Sequence, residues 1–239
     1  VNVFALLAPG FLIIMVLVMA GRDLGTTSVI AAILAGMLFV SGIQLRILGW
    51  ATAAGALALA FLIATSDYRA QRFLVFLNPF APEDYKLAGW QPAHSLLGLA
   101  TGGLFGVGLG GSRQKWGNLP DAHTDFIFSV IGEELGLVGT LAVLALLGTL
   151  IYSMFRIALR AQEPMIRYAC AGIACWFMAQ SFLNIGSATS TLPVVGVTLP
   201  LVSYGGSALV ASLCAIGFVA GAALRDPEVR KEIVKRRGA

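Results

Sequence analysis

Six apolar runs, each close to the length that crosses a bilayer, constrain this 239-residue chain more than any other feature. They are Val3–Gly21, Leu24–Ile43, Ile47–Thr65, Leu135–Phe155, Met165–Ala188 and Ser207–Leu224. Spanning a hydrocarbon core takes about 20 predominantly apolar residues. Inside lipid, every backbone N–H and C=O must bond within its own segment, which makes a helix of each run. The expected fold is therefore an all-α polytopic membrane protein of six transmembrane helices. A long structured extracytoplasmic loop should join spans three and four, and a broken-helix loop should precede span six. The residue usage agrees: 12% of residues are charged, against about 25% in soluble domains. The first run has no basic stretch ahead of it and a second follows at once, so it does not read as a cleavable signal peptide. The chain opens on Val rather than Met, and further sequence is expected before it.

Orientation follows from basic residues in short loops. Arg46 lies between spans two and three, and Arg156, Arg160 and Arg167 between four and five. Arg225, Arg230, Lys231, Lys235, Arg236 and Arg237 follow span six, whereas the short loops of the other side hold only Arg22. Both ends of the chain are thus expected in the cytoplasm, with Ser66–Glu134 and Thr189–Ser203 outside. Residues 1–239 read as one membrane domain. Residues 66–134 form the extracytoplasmic loop that carries the candidate site, and 225–239 a basic cytoplasmic tail suited to anionic lipid heads. The +4 net charge is mostly this asymmetry and argues for no nucleic-acid partner. Cys170, Cys175 and Cys214 all fall within spans at no metal-ligand spacing, and read as small buried apolar residues.

The Ser66–Glu134 segment exceeds the roughly 15 residues of a passive connection, and its aromatic residues disfavour disorder. Tyr68–Leu77 alternates basic and apolar residues as an interfacial helix would. Asn78-Pro-Phe-Ala-Pro breaks it, and Ser95–Ala100 suits another short helix. Residues 102–112 contain six glycines in eleven positions. With no strand before it, this stretch is no dinucleotide fingerprint. Two readings stand: a close-packed re-entrant turn, or a cradle of amides for a pyrophosphate, helped by Arg113 and Lys115. In Thr191–Ser207, Pro193, Pro200 and Gly205-Gly206 prevent one continuous helix. Such a break can line a polar cavity with Asn184, Ser203 and Tyr204, or leave a kinked helix whose hydroxyls bond its own backbone.

Ionisable groups crowd the lip of span four: Lys115, Asp121, His123, Asp125, Glu133 and Glu134, with Thr124 among them. If a helix starts near Asp121 or Thr124, Asp125 sits in its first turn, where free amides favour a carboxylate. Its apolar boundary position and charged neighbours equally suit a site. Glu133, eight residues on, would share that helical face; one of the two glutamates would join Asp125 in a hydrogen bond or around a cation, and the other would be a solvated charge at the helix start. His123 fits a proton shuttle or the partner of a local carbonyl. Arg22 and Asp23 are expected to pair and cap the following helix, with Thr26 and Thr27 adding hydroxyls.

The stretches LPDAHTDFIFSVIGEELGLVG at 119–139, GGLFGVGLGGSRQKWGNLP at 102–120, NIG at 184–186 and LPVVGVTLPLVSYGGSALV at 192–210 resemble the SEDS family, which includes FtsW and RodA. The resemblance covers essentially the whole chain, as the last six spans of a ten-span pattern. SRQKW and TLPLVSYGGS lie nearer to the division-type FtsW, while LPVVGV pulls toward RodA. One departure is Gly21-Arg22-Asp23-Leu24-Gly25-Thr26, where the family usually has Gln-Pro-Asp-Leu-Gly-Thr. The resemblance implies a peptidoglycan glycosyltransferase for division or elongation, polymerising lipid II outside the cytoplasmic membrane. It also implies a class B penicillin-binding transpeptidase and other divisome or elongation-complex membrane proteins as partners. The family's catalytic acid falls in the HTDF motif, hence on Asp125 as general base. Arg113, Lys115, His123, Thr124, Glu133, Ser203 and Tyr204 are the candidate substrate-binding residues. No metal ligand is assigned, and the cofactor is open, a divalent cation held by acids being the one considered. A lipid-precursor flippase and a non-enzymatic scaffold for a transpeptidase are the rival functions.

Overall fold

The computed structural model describes residues 3–65, 70 and 73–226. Its elements are α1 (Val3–Ala20), α2 (Leu24–Val40), α3 (Leu45–Ala64), α4 (Trp90–Gly102), a 3-10 turn (Gln114–Trp116), α5 (Ile127–Arg160), α6 (Pro164–Ala188) and α7 (Gly206–Ala223). No strand occurs among the described residues. Helices α5, α6 and α7 are long and apolar enough to cross a membrane, and Ala8–Ala20, Leu24–Val40 and Leu45–Leu57 are shorter apolar stretches. The helix expected around Ser95–Ala100 is the middle of α4. The interfacial helix expected over Tyr68–Leu77 lies largely outside the described residues, as does the basic tail beyond Asp226.

Local chemistry explains where the helices stop. Asp23 caps α2: one carboxylate oxygen accepts the Thr26 amide at 2.8 Å, the other the Thr26 hydroxyl at 2.6 Å. The Thr27 hydroxyl closes the turn on the Asp23 carbonyl at 2.6 Å. The expected cap is present, but its ion pair is not. Arg22 turns the chain with φ 62° and pairs with no described acid. Pro164 opens α6 at a position whose N–H has no helical acceptor, and Gly205 precedes α7 in extended backbone.

Helix α6 is the hub. Over its most apolar window 56% of residues are buried, against 17% for α5 and 11% for α7. It packs on α5 and on α2, while α1 leans on α2 and α4 on α5. Small residues allow this, because lipid offers no hydrophobic drive and close backbone approach supplies the attraction. Cys170, Ala171, Gly172, Ala174, Cys175 and Ala179 are all buried on α6, and Gly36 of α2 abuts Cys175. Cys170 and Cys175 are thus the small buried residues expected, but Cys214 is exposed on the outer side of α7. One apolar cluster (Phe126, Phe128, Leu147, Leu199 and neighbours) underlies the start of α5. A second (Met154, Ala158, Ala171, Phe177, Val219 and neighbours) fills the opposite half.

Candidate active site

Asp125 does not lie in a helix. The helix starts at Ile127, later than the sequence suggested, and Asp125 stands in a turn in front of it. The amides of Thr124, Asp125 and Phe126 all converge on the Asp121 carbonyl, at 3.1, 3.0 and 3.3 Å. Asp121 takes φ 54° to allow this, and the Thr124 hydroxyl bonds the same carbonyl at 3.2 Å. With its amides spent this way, the turn leaves its carbonyls to outside donors, and three arrive from the far end of the chain. The Tyr204 amide donates to the His123 carbonyl at 2.9 Å. The Ser203 hydroxyl donates to the Thr124 carbonyl, and the Asn184 side-chain amide to the Asp125 carbonyl at 2.9 Å. The same Asn184 nitrogen reaches the Val197 carbonyl at 2.7 Å. Three consecutive residues, His123 to Asp125, are thereby clamped carbonyl by carbonyl to the 184–204 region.

The 184–204 region presents its own backbone to the Asp125 carboxylate. Gly196 has φ 68°, a conformation open to glycine, and a Cβ there would stand 3.4 Å from Asp125 Oδ2. Ser203 is committed to structure, since its oxygen also accepts the Leu199 amide at 2.8 Å. The Tyr204 ring is exposed and meets His123 edge to face at 5.7 Å. The Asn184 Oδ1 is buried with no partner, a polar atom left over beside the Asp125 turn.

The glycine-rich stretch has a different task. Helix α5 is interrupted at Gly136, whose φ 68° and ψ −161° break the hydrogen-bond ladder. The freed groups are met by residues 103–108. The amides of Leu137 and Val138 donate to the carbonyls of Gly103 and Leu104, at 2.9 and 3.2 Å. The amides of Val107 and Gly108 donate to the carbonyls of Glu133 and Glu134, at 2.9 and 3.1 Å. Only glycine permits such proximity: a Cβ on Gly102, Gly106 or Gly136 would collide with backbone of the opposing segment. This is the close-packed turn, with the amides of Gly106, Val107 and Gly108 spent on the carbonyls of Gly102, Glu133 and Glu134.

Beyond that turn the chain wraps the Glu133 carboxylate, which is 1% exposed. Glu133 accepts the Ser112 hydroxyl and the amides of Arg113 and Gln114, the last two at 3.0 and 3.3 Å. Those donors tie Glu133 to the loop that follows the glycine-rich turn. Because Asp125 lies outside the helix, helical spacing does not set its angle to Glu133. Glu134 is likewise engaged rather than solvated, in an ion pair with Lys115. Glu134 lies before the apolar part of α5. Burial pushes its carboxyl pKa up, but the Lys115 ammonium and the amides of Gly110 and Ser112 outweigh this and hold it below its ordinary value. Lys115 also sits 5.4 Å from the centre of the exposed Trp116 ring. The Arg113 side chain is exposed and in no ion pair with a described residue. The structure thus brings His123, Thr124, Asp125, Ser203 and Tyr204 together, and places Arg113 and Lys115 in a loop that closes on Glu133 of α5. Sequence reasoning had no signal for Ser112 or Gly196, and it counted Asp121 in the charged cluster without showing the part of its carbonyl, which depends on a backbone angle.

A family model described as cell cycle protein, for FtsW, RodA and SpoVE, matches residues 1–226. The probable peptidoglycan glycosyltransferase FtsW of Mycobacterium bovis is 42% identical over 222 residues, covering 93% of this chain and 42% of that protein. The same-named protein of Halothiobacillus neapolitanus is 40% identical over 223 residues, covering 91% of this chain and 53% of the other. Among solved structures, a peptidoglycan synthase complex studied for the coordination of polymerization and crosslinking is similar with a TM-score of 0.71 and 31% identity, over 94% of this chain and 62% of that one. The rod-shape-determining protein RodA of Thermus thermophilus has a TM-score of 0.60 and 31% identity, over 90% and 54%. The chain spans about half the length of the curated relatives it matches. On this agreement of sequence motifs, helical architecture and relatives, the chain belongs to the FtsW/RodA/SpoVE family of membrane proteins.

Proposed function

We propose that this chain is the site-bearing part of an inverting peptidoglycan glycosyltransferase, which polymerises lipid II into β-1,4 glycan strands at the outer face of the bacterial cytoplasmic membrane. Asp125 is the general base. The observation that carries this reading is the clamp on His123–Asp125, which fixes a carboxylate against the Gly196 backbone. Preorganisation of that kind is what a proton acceptor needs, since misplacement by about 1 Å costs on the order of 100-fold in rate. The names of the FtsW relatives support the same reaction class.

In the reaction, the acceptor sugar's 4-hydroxyl attacks the anomeric carbon of the donor as Asp125 takes its proton. The bond from that carbon to undecaprenyl pyrophosphate breaks, and its electron pair leaves with the pyrophosphate. Attack opposite the leaving group inverts the α-linked donor to a β-1,4 product, and one carboxylate suffices. Protonated Asp125 then returns its proton to water. Arg113, exposed and outside any described ion pair, is placed to offset the charge developing on pyrophosphate. Lys115 serves there only by exchanging Glu134 for the substrate. The two glutamates of α5 are engaged by Ser112, Arg113, Gln114 and Lys115 and hold the loop beside the site. His123, Thr124 and Tyr204 line the sugar side of the turn. Six spans, both ends cytoplasmic and the 66–134 loop outside, put this site at the outer leaflet. There a class B transpeptidase and its divisome or elongation complex receive the strand.

The test is gel analysis of glycan strands made from purified lipid II by the whole protein, wild type and Asp125→Asn. The variant should melt like wild type and lose about 100- to 10,000-fold in rate. Undiminished polymerisation would remove Asp125 from the reaction. Lipid translocation in liposomes without glycan product would point instead to a flippase, and partner binding with neither activity to a scaffold.

A further inference from the structure

The far end of the bundle carries a second feature that the proposed polymerisation does not use. A cleft of about 1080 Å³ opens between the ends of α5, α6 and α7. Residues 137–160 of α5 rise roughly 36 Å, a little more than the roughly 30 Å of a hydrocarbon core. The cleft therefore sits at the water–lipid boundary opposite the Gly136 break, the cytoplasmic one by the distribution of basic residues. Its cationic wall is Arg156, Arg160 and Arg225, and its apolar wall includes Ile157, Ile166 and Ala222. Arg156 and Arg160 are one turn apart and share a helix face.

The charges of the described residues in this cleft do not balance. Among them the acids are Glu163 and Asp226, against three arginines. Arg225 meets Glu163 at 4.0 Å, with both side chains more than two-thirds exposed at 70% and 68%. That loose pair contributes little. Arg156 lies 5.9 Å from the centre of the Tyr152 ring and forms no ion pair with a described residue. Arg160 forms no ion pair with a described residue. Both are on the last turns of α5, where the helix carbonyls hold cations in place. A planar guanidinium matches two oxygens of a phosphate, and the apolar wall beside it suits a glycerol backbone and acyl chains.

We infer that this cleft binds the phosphate of an anionic glycerophospholipid from the inner leaflet. The net excess of guanidinium disfavours a zwitterionic headgroup, whose ammonium would meet the same cations. The inference rests on the orientation of the bundle and not on the glycosyltransferase reading. Native mass spectrometry tests it on the whole protein, taken from bilayers of phosphatidylglycerol or of phosphatidylcholine. Wild type should retain a phosphatidylglycerol molecule and not phosphatidylcholine. The double variant Arg156→Gln/Arg160→Gln should retain it roughly 30-fold more weakly, and Arg46→Gln, outside the cleft, should behave as wild type. Arg160→Lys keeps the charge without the fork and should fall between, which preserves a readout if the double variant does not fold. Equal retention of both lipids, or retention unaffected by either cleft variant, overturns the inference. So does displacement of the lipid by millimolar inorganic phosphate, which would make the occupant a free anion.

Discussion

Asp125 is held through its main chain, its carbonyl taking the side-chain amide of Asn184. The neighbour that most deserves mutation is Asn184, a buried residue whose single Nδ2 satisfies the carbonyls of Asp125 and Val197. Asn184→Ala strands both carbonyls, and each unpaired buried group costs about 1–3 kcal/mol. Turnover of lipid II should fall with the melting temperature. Asn184→Asp keeps the volume but turns an acceptor toward two carbonyl oxygens, so it should be the more damaging change. If Asn184→Asp melts and polymerises like wild type, the clamp does not hold the turn. Glu133 is the contrasting residue: it is 1% exposed, yet its donors are all in one neighbouring loop and its role is to hold that loop down.

At the scale of elements, α5 and the glycine-rich stretch form one unit. A helix broken in mid-course would strand its carbonyls and amides. Residues 103–108 supply the partners, and Glu133 and Glu134 anchor the loop that follows. Gly136→Ala imposes a side chain on φ 68°, ψ −161° and drives a methyl into the backbone of Leu104 and Gly106. Strain and overpacking together should destabilise the protein by about 3 kcal/mol or more. Thermal melting should show this, and limited proteolysis should cut more readily within 102–112. A variant with wild-type melting and protection would mean that the break is not needed to seat the loop.

For the whole molecule, the decisive quantity is which end of the bundle faces the cytoplasm, because the turn of Asp125 and the arginine cleft lie at opposite ends. Single cysteines at Gln162 and Thr191, in a background lacking Cys170, Cys175 and Cys214, report on this directly. An impermeant thiol reagent added to intact cells should label the cysteine at Thr191, and that at Gln162 only after permeabilisation. The reverse pattern would place Asp125 in the cytoplasm, away from any extracellular acceptor. The expected orientation rests on basic residues, which remain on the side where they need not cross the membrane. The architecture follows from α6, whose small side chains let α2 and α5 approach closely.

Most of the helices were legible in the sequence, because apolar length is a one-dimensional property that lipid reads directly. The Asp23 cap and the helix-breaking prolines of 191–205 were legible for a similar reason: their partners or consequences lie within a few residues. The family motif singled out Asp125 in the same way. The start of α5 was not legible, since Asp121 gathers three amides through a backbone angle that residue type alone does not announce. Nor could spacing show that Glu133 turns to Ser112, Arg113 and Gln114, or that Cys214 faces outward. The clamp itself joins residues 123–125 to 184–204, and the α5 break is completed by residues 103–108. Hydrogen bonds between segments so far apart exist only once packing has brought them together, and it was that packing which decided how the site is held.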